Sequence, residues 1–337
     1  TAVLDGATGN DLITGNFNIQ DGGAGTLLNA IYTAGQPGEK TALYDAINSL
    51  SPEAFAGAVD YALLSTRGYA ENALRYRPRM QDGVVIISDG KNGGAPMIRD
   101  NTVLETFAGY SHLDVGSTSS SSGNDYHLKS NGIYGGGRWQ PDDDLAVASF
   151  IAGDVGSVGT SSLELDVHGL ILGASFDYAP LGIDSPLRIL GTATYGNYEF
   201  EGQRRSVAGQ YRIPEFDANA FEFGLRTEYD LLAEDGLRIT PALGLRHISA
   251  TTDGFTETGG PGALRVEEQK QNSTLLDLGI FASYQKFGEP VGFHAELRWQ
   301  HDFAEAHRDI DAAFAASATP FQVKAPGVGS DALVFSI

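Results

Sequence analysis

At 337 residues, with 43 glycines and no cysteine, the chain has room for one large β domain or two smaller ones and cannot form a disulfide framework or a thiolate metal site. Its 22 basic against 43 acidic residues leave a net charge of −21, which excludes a general phosphate-binding surface and with it nucleic acid as the main partner. No apolar run approaches the roughly 18 to 20 residues of a spanning helix, a limit that does not touch spanning strands.

The opening residues, Thr1 to Gly6, carry neither a charged nor an apolar targeting region, so any export signal is expected upstream. Residues 1–40 are rich in Gly, Asn, Asp and Thr, with apolar pairs such as Leu12-Ile13 and Leu27-Leu28, and read as short strands or turns. From Thr41 the spacing turns helical. Leu43, Ile47 and Leu50 make one stripe, and Phe55, Val59 and Leu63 another. Between them Ser51-Pro52-Glu53 supplies an N-cap, a proline at the first helical position and an early acid. The helix this starts, over about 52–77, is rich in alanine and carries Arg67, Arg75 and Arg77 toward its C-terminal end. Residues 78–101, punctuated by proline and glycine, read as a linker with a short strand at Val84 to Ile87.

From 102 onward the chain reads as successive strands: Val103–His112, Leu128–Trp139, Leu145–Gly153, Leu165–Tyr178, Leu187–Phe200, Phe216–Leu231, Leu237–Thr251, Ser273–Phe287, Val291–Phe303 and a last one from near Phe321. Short connections, such as Gln140 to Asp144 and Ala233 to Gly236, follow every second strand. Long ones fall between them at Val115 to Asp125, Asp154 to Ser162, Glu201 to Pro214, Thr252 to Asn272 and Ala304 to Pro320. Loops sorted by end are the mark of an outer-membrane barrel.

The faces agree. In 219–231 Phe221, Phe223, Leu225, Tyr229 and Leu231 oppose Glu222, Gly224, Arg226, Glu228 and Asp230, and the alternation outlasts the roughly nine to eleven residues a tilted strand needs to cross a membrane. A charge facing mid-bilayer lipid costs about 2 to 4 kcal/mol, so Glu222, Arg226, Glu228, Arg246, Asp277, Glu296 and Arg298 are expected to face a hydrated lumen. Trp139, Tyr178, Tyr229, Tyr284 and Trp299 are candidates for an interfacial aromatic belt.

Sites for other chemistry are weak. Gly9 to Asn16 resembles one calcium-binding nonapeptide, but a single copy cannot stack. Asp142-Asp143-Asp144 reads as a solvated turn. His294 and His301 differ in parity and would lie on opposite strand faces, so they cannot converge on a metal with His307. Neither the cluster Ser117 to Ser122 nor Ser65 sits in a Gly-x-Ser-x-Gly setting. No catalytic residue, metal or cofactor is expected.

The order of elements over about 40–335 resembles the C-terminal translocator domain of an autotransporter, the type V secretion barrel. The resemblance is carried by the helical lead-in Ala42 to Ala54, the strand Gly132 to Trp139, the run Ile239-Thr240-Pro241-Ala242-Leu243 and the stretch Phe321 to Asp331. It implies an all-β fold with an N-terminal helical segment: a transmembrane antiparallel up-and-down barrel, of about twelve strands in the family, with an α-helix in its lumen. About ten strands are visible, and Val334 to Ile337 reads as mid-strand, so further C-terminal strands are expected. The family further implies an outer-membrane anchor in a Gram-negative bacterium, an N-terminal passenger taken to the cell surface, and contacts with outer-membrane lipid, lipopolysaccharide and the barrel-assembly machinery. Residues 1–40 would then be a passenger tail or junction, 41–101 the lead-in, lumen helix and linker, and 102–337 the barrel. Arg67, Arg75 and Arg77 would meet inward carboxylates such as Glu222, Glu228, Asp277 and Glu296. The self-cleavage some relatives perform at an Asn-Asn junction is not expected, since the helix offers Asn72 alone. Two other readings stay open: a porin-like or adhesin-type barrel, and a soluble β-sandwich binding module.

Overall fold

The computed structural model describes residues 50–75, 78–81, 84–87, 103–117, 126–142, 144–182, 185–205, 211–234, 237–260, 262–284, 293–304, 307–316, 319–326 and 331–336. The stretch carrying Leu43, Ile47 and the Gly9 to Asn16 motif lies outside them, as do Asp143 and most of the serine cluster.

Ser51 caps the helical segment as its chemistry dictates: its hydroxyl accepts the Glu53 N–H at 3.2 Å, and Pro52, which has no N–H to leave unpaired, opens the first turn. A 3₁₀ turn, Pro52–Phe55, runs into a single α-helix, α1 (Ala56–Arg75). Its many alanines favour the helix and keep it thin. That slenderness lets a sheet curl around it.

The strands are β1 (Pro78–Gln81), β2 (Val84–Ile87), β3 (Val103–Ser117), β4 (Tyr126–Asp142), β5 (Leu145–Gly159), β6 (Leu163–Tyr178), β7 (Leu187–Arg205), β8 (Tyr211–Arg212), β9 (Glu215–Tyr229), β10 (Leu232–Glu234), β11 (Leu237–Thr252), β12 (Phe255–Thr256), β13 (Leu264–Val266), β14 (Gln269–Tyr284), β15 (Phe293–Asp302), β16 (His307–Phe314), β17 (Pro320–Pro326) and β18 (Asp331–Ser336). β1 and β2 pair as a hairpin of their own. The main sheet is antiparallel in the order β18-β15-β14-β11-β9-β7-β6-β5-β4-β3, with β8 and β10 as short additions. It curls around α1, which touches β3, β4, β5, β6, β7, β9, β11 and β14. A second sheet, β12-β13-β16-β17, lies at the end away from the short turns and contacts the Pro52–Phe55 segment.

Two expectations are corrected. Asp154 to Ser162 is no long loop: β5 runs to Gly159 and β6 starts at Leu163, with Thr160 Oγ1 accepting the N–H groups of Ser162 and Leu163 in a tight turn. Two glycines and three serines suggested a loop there, yet pairing with β4 and β6 on both sides satisfies this backbone. The last stave does not begin near Phe321 either. That residue belongs to β17 in the second sheet, and the tenth stave is β18 from Asp331.

The staves also exchange their polarity part-way up. In β9 the outward residues near the short turn are Phe221, Phe223, Leu225 and Tyr229, and the inward ones Glu222, Arg226 and Glu228; beyond them the outward set becomes Glu215, Asp217 and Asn219 and the inward set Phe216, Ala218 and Ala220. β6 does the same, with Leu170, Leu172 and Tyr178 outward below and Glu164, Asp166 and His168 above, where Leu163, Leu165 and Val167 turn inward. In β7 the outward switch falls between Tyr195 and Asn197, in β11 between Leu245 and His247. The lower part suits hydrocarbon outside and water-like polarity inside; the upper part suits water outside and an apolar core inside. That upper core gathers Phe55, Phe200, Phe216 and Phe255, with Phe216 and Phe255 stacked at 4.3 Å and Phe55 edge-on to Phe255 at 4.9 Å.

Candidate functional site

The site is the filled interior of the sheet, where α1 meets the inward faces in three polar levels. Nearest its N-terminal end, Asp60 is wholly buried; it accepts from Arg308 Nη1 at 2.7 Å and from the Tyr126 hydroxyl, while Arg308 also donates to the Ala56 carbonyl. Arg308 comes from β16, so the outer sheet grips the helix directly.

At the middle level Tyr61, Ser65 and Tyr69 stand on one helical face by their spacing of four. All three donate to the buried Asp154 carboxylate of β5, at 2.7, 2.9 and 3.0 Å, and Ser130 of β4 adds a fourth hydrogen bond at 2.7 Å. A carboxylate taking four hydroxyl donors keeps its charge compensated in a dry setting. The rings reach it because Gly132 and Gly156 lack side chains: a Cβ at the first would overlap the Tyr69 hydroxyl, at the second the Tyr61 hydroxyl. Thr66 and Tyr198 share a further bond of 2.8 Å.

The lowest level is ionic and centres on Glu71 of α1. Arg246 of β11 reaches it at 2.8 Å, Arg298 of β15 at 3.2 Å, and Arg67, one turn earlier, at 3.3 Å. The same guanidiniums hold wall carboxylates: Arg246 lies 3.2 Å from Glu222 and 3.7 Å from Asp277, Arg298 3.0 Å from Glu296 and 3.6 Å from Asp277. Gln300 bridges Arg67 and Asp277. Glu71, Asp277, Arg246 and Arg298 therefore each have more than one opposite neighbour, the condition under which buried charge is tolerated.

Above the interior the outer connections are locked together. Arg204 and Glu257, both fully buried, form a two-pronged pair, with Arg204 Nε 2.7 Å from Glu257 Oε1, and Glu257 also accepts the Leu264 N–H at 2.8 Å. Arg204 donates to the Gly262 carbonyl and Arg212 to that of Gly259, each at 2.8 Å. Burial and the neighbouring Arg204 push the Arg212 guanidinium below its ordinary range, with Glu257 pulling the other way.

The structure brings Glu222, Arg226, Glu228, Arg246, Asp277, Glu296 and Arg298 to the buried inward face. Arg226 and Glu228 lie 3.6 Å apart, slightly away from the Glu71 centre, and Arg226 sits over the Phe281 ring. Arg67 meets Glu71 and Gln300 in place of the wall carboxylates expected for it. Arg75 is the last residue of α1, and Arg77 lies outside the described residues. Trp139, Tyr178, Tyr229, Tyr284 and Trp299 are exposed on the outer face. The first four stand at the short-turn ends of β4, β6, β9 and β14; Trp299 stands higher, six positions into β15.

Sequence reasoning missed Glu71, Asp154, Asp60, Arg308 and the Arg204–Glu257 pair. Arg67 and Glu71 at i,i+4 and the Tyr61, Ser65, Tyr69 stripe were signals in plain view. Asp154 was hidden by its placement in a loop.

Residues 98–337 match the family model of the autotransporter beta-domain. Among solved structures the chain is similar to the translocator domain of autotransporter NalP from Neisseria meningitidis, with 12% identity, a TM-score of 0.55, and 80% of this chain and 88% of that one covered. It is also similar to the beta domain of the Bordetella autotransporter BrkA, with 13% identity, a TM-score of 0.45, and 70% and 96% covered. No curated protein matches the chain. A curled antiparallel sheet with an apolar outer band, a helix in its interior and this family match lead to one conclusion: the chain belongs to the autotransporter beta-domain family, the outer-membrane β-barrel translocators of Gram-negative bacteria.

Proposed function

We propose that the barrel carries an N-terminal passenger to the cell surface through the space α1 now fills, and that 1–40 is the passenger tail, 41–101 the lead-in with the lumen helix and linker, and 102–337 the barrel. One observation carries this reading. The N-terminal end of α1 contacts the outer sheet, whereas its C-terminal residues Ala73 and Leu74 lie beside Arg138, Asp177 and Leu190 near the short turns. The chain thus passes down the interior from the loop end and enters β3 from the turn end. A polypeptide ahead of α1 is led to the outside.

In this reading α1 is the spent tail of the route and acts as its plug. Glu222, Arg246, Asp277, Glu296 and Arg298 grip it, and Arg226 and Glu228 line the same wall. The exposed aromatics settle the barrel among outer-membrane lipids, lipopolysaccharide borders it outside, and the barrel-assembly machinery inserts it. The domain performs no catalysis of its own. A porin-like role is disfavoured because the interior is packed with side chains from Phe55 down to Glu71.

The absence of cysteine makes a direct test available. In intact cells a membrane-impermeant maleimide is expected to label Ser161→Cys, in the β5–β6 turn, and to label Leu181→Cys, in the β6–β7 turn, only after the outer membrane is opened. An epitope inserted ahead of Ala42 is expected to be accessible on intact cells. Labelling of Leu181→Cys in intact cells, or an epitope hidden there, would overturn the route.

A further inference from the structure

α1 contains two carboxylates, Asp60 and Glu71, and two guanidinium side chains, Arg67 and Arg75. The acids are about three turns and roughly 16 Å apart along the axis, and so share a face. Each meets guanidinium hydrogens supplied by the wall. Arg308 of β16 reaches Asp60 at 2.7 Å, and Arg246 of β11 and Arg298 of β15 reach Glu71 at 2.8 and 3.2 Å. Glu222 and Glu296 take the Nε sides of Arg246 and Arg298, at 3.2 and 3.0 Å, and both arginines turn Nη groups to the helix. A guanidinium is all donor, so only an acceptor can meet it there.

The neighbouring registers of the helix offer no such acceptor. A slip of one turn outward brings Leu64 to the place of Asp60 and Arg75 to that of Glu71; one turn inward brings Ala56 and Arg67. Steps of three residues bring Leu63 with Leu74, or Gly57 with Gly68. No side chain among these accepts a hydrogen bond, and two of them would set a further cation against Arg246 and Arg298. Every slip therefore leaves buried guanidinium groups without the carboxylate they face, which is the costly way to break a buried ionic set. The hydroxyl level favours the same register. Tyr61, Ser65 and Tyr69 all donate to Asp154, whereas one turn outward Ala73 takes the place of Tyr69 and one turn inward Gly57 takes that of Tyr61.

We infer that α1 is cut to a single register, in which Asp60 and Glu71 fix its height in the interior and Arg67 and Arg75, one turn to either side of Glu71, reject the adjacent ones. The wall thus selects where the helix stands as well as holding it there. On the proposed route, and resting on that reading, the same register sets where the chain ahead of α1 begins outside the barrel and resists a pull from either end.

Disulfide closure in this cysteine-free chain measures the register. A Cβ at Gly196 would stand 2.7 Å from Thr66 Oγ1, close enough for Thr66→Cys and Gly196→Cys to bridge. Gly196→Cys with Ala70→Cys reads a helix one turn further out, and Gly196→Cys with Ala62→Cys one turn further in, each with Thr66→Ala to clear the space. After mild oxidation of the full chain folded in detergent micelles, the 66–196 bond is expected to form at least tenfold more readily than either of the others. Moving both acids one turn along, by Asp60→Leu with Leu64→Asp and Glu71→Arg with Arg75→Glu, is expected to raise the ratio of the 70–196 to the 66–196 bond at least tenfold. Faster migration of the unboiled than the boiled protein shows that a variant folds. Should the fourfold variant fail that check, Glu71→Gln with Arg75→Gln decides, and the same ratio is expected to rise at least tenfold. An unchanged ratio in the folded variant overturns the inference, as do 62–196 or 70–196 bonds as ready as 66–196 with the acids in place. The bonds are read in the isolated chain whatever the passenger's direction, so their failure leaves the route standing, and labelling of Leu181→Cys in intact cells leaves the register standing.

Discussion

Glu71 holds the interior together at the scale of single residues, because Arg246, Arg298 and Arg67 all turn to it. Removing one partner of a buried ionic set leaves the others uncompensated, at a cost of about 3 to 5 kcal/mol. Glu71→Ala is therefore expected to lower the unfolding midpoint in denaturant markedly, measured as loss of the fast-migrating folded form. A triple change that also replaces Arg246 and Arg298 by Met is expected to lower it further, because Glu222, Asp277 and Glu296 then lose the guanidiniums that compensate them. Asp154 is a contrasting case. Its four donors are neutral hydroxyls, so Asp154→Ala leaves buried hydroxyls unpaired at roughly 1 to 3 kcal/mol each where no water replaces the carboxylate. The expected signature is a helix that loosens before the barrel melts, seen as earlier hydrogen exchange at 61–69.

At the scale of elements, β6, β7, β9 and β11 are each two amphipathic strands joined end to end with opposite polarity. The alternation of Phe221 to Tyr229 was legible in the sequence, and so was the inward direction of Glu222 and Arg226, because period two assigns faces without any knowledge of neighbours. What the alternation cannot say is which medium each face meets, and above Phe221 the media exchange. Glu215, Asp217 and Asn219 keep the same parity as Phe221 and still point outward, now into water. The same blindness hid Asp154. Gly153 and Gly156 beside it suggested a loop, and only pairing on both sides reveals a strand. The helix start at Ser51 was legible because capping is local chemistry, whereas the grip of Arg308 on Asp60 joins residues 248 apart and leaves no local trace. The exchange of media is checked by a paired substitution. Leu225→Arg is expected to destabilise the folded barrel in lipid by about 2 to 4 kcal/mol, and Asn219→Arg, on the same face, by no more than about 1 kcal/mol. Equal costs at both positions would mean that hydrocarbon reaches Asn219.

For the whole molecule, the interior is closed twice over, by an apolar stopper around Phe55 and by the ionic set around Glu71. Deleting 50–75 removes the helical part of both. In planar bilayers the intact protein is expected to show little conductance and the deletion large, stable steps; a closed deletion variant would show that the wall or the outer sheet seals the barrel unaided. The outer sheet β12-β13-β16-β17 is tied to β7 through Arg204 and Glu257 and to the helix through Arg308. Loss of the helix is therefore expected to raise protease sensitivity at 255–266 and 307–326 as well. That links conductance to a second, independent readout.

The length of the staves has a geometric outcome. β7 has 19 residues, which at about 3.3 Å each and a tilt near 45° rise on the order of 45 Å, against an apolar band about 25 Å tall. Close to half of β7, and about a third of the other long staves, therefore stands clear of the hydrocarbon as a chimney with a wet exterior and an oily bore. On the proposed route, a chain leaving the cell meets its last constriction not in the plane of the bilayer but well above it. There, departure on that route means trading contacts with Phe200, Phe216 and Phe255 for open water, so the final step outward is the one the hydrophobic effect resists most.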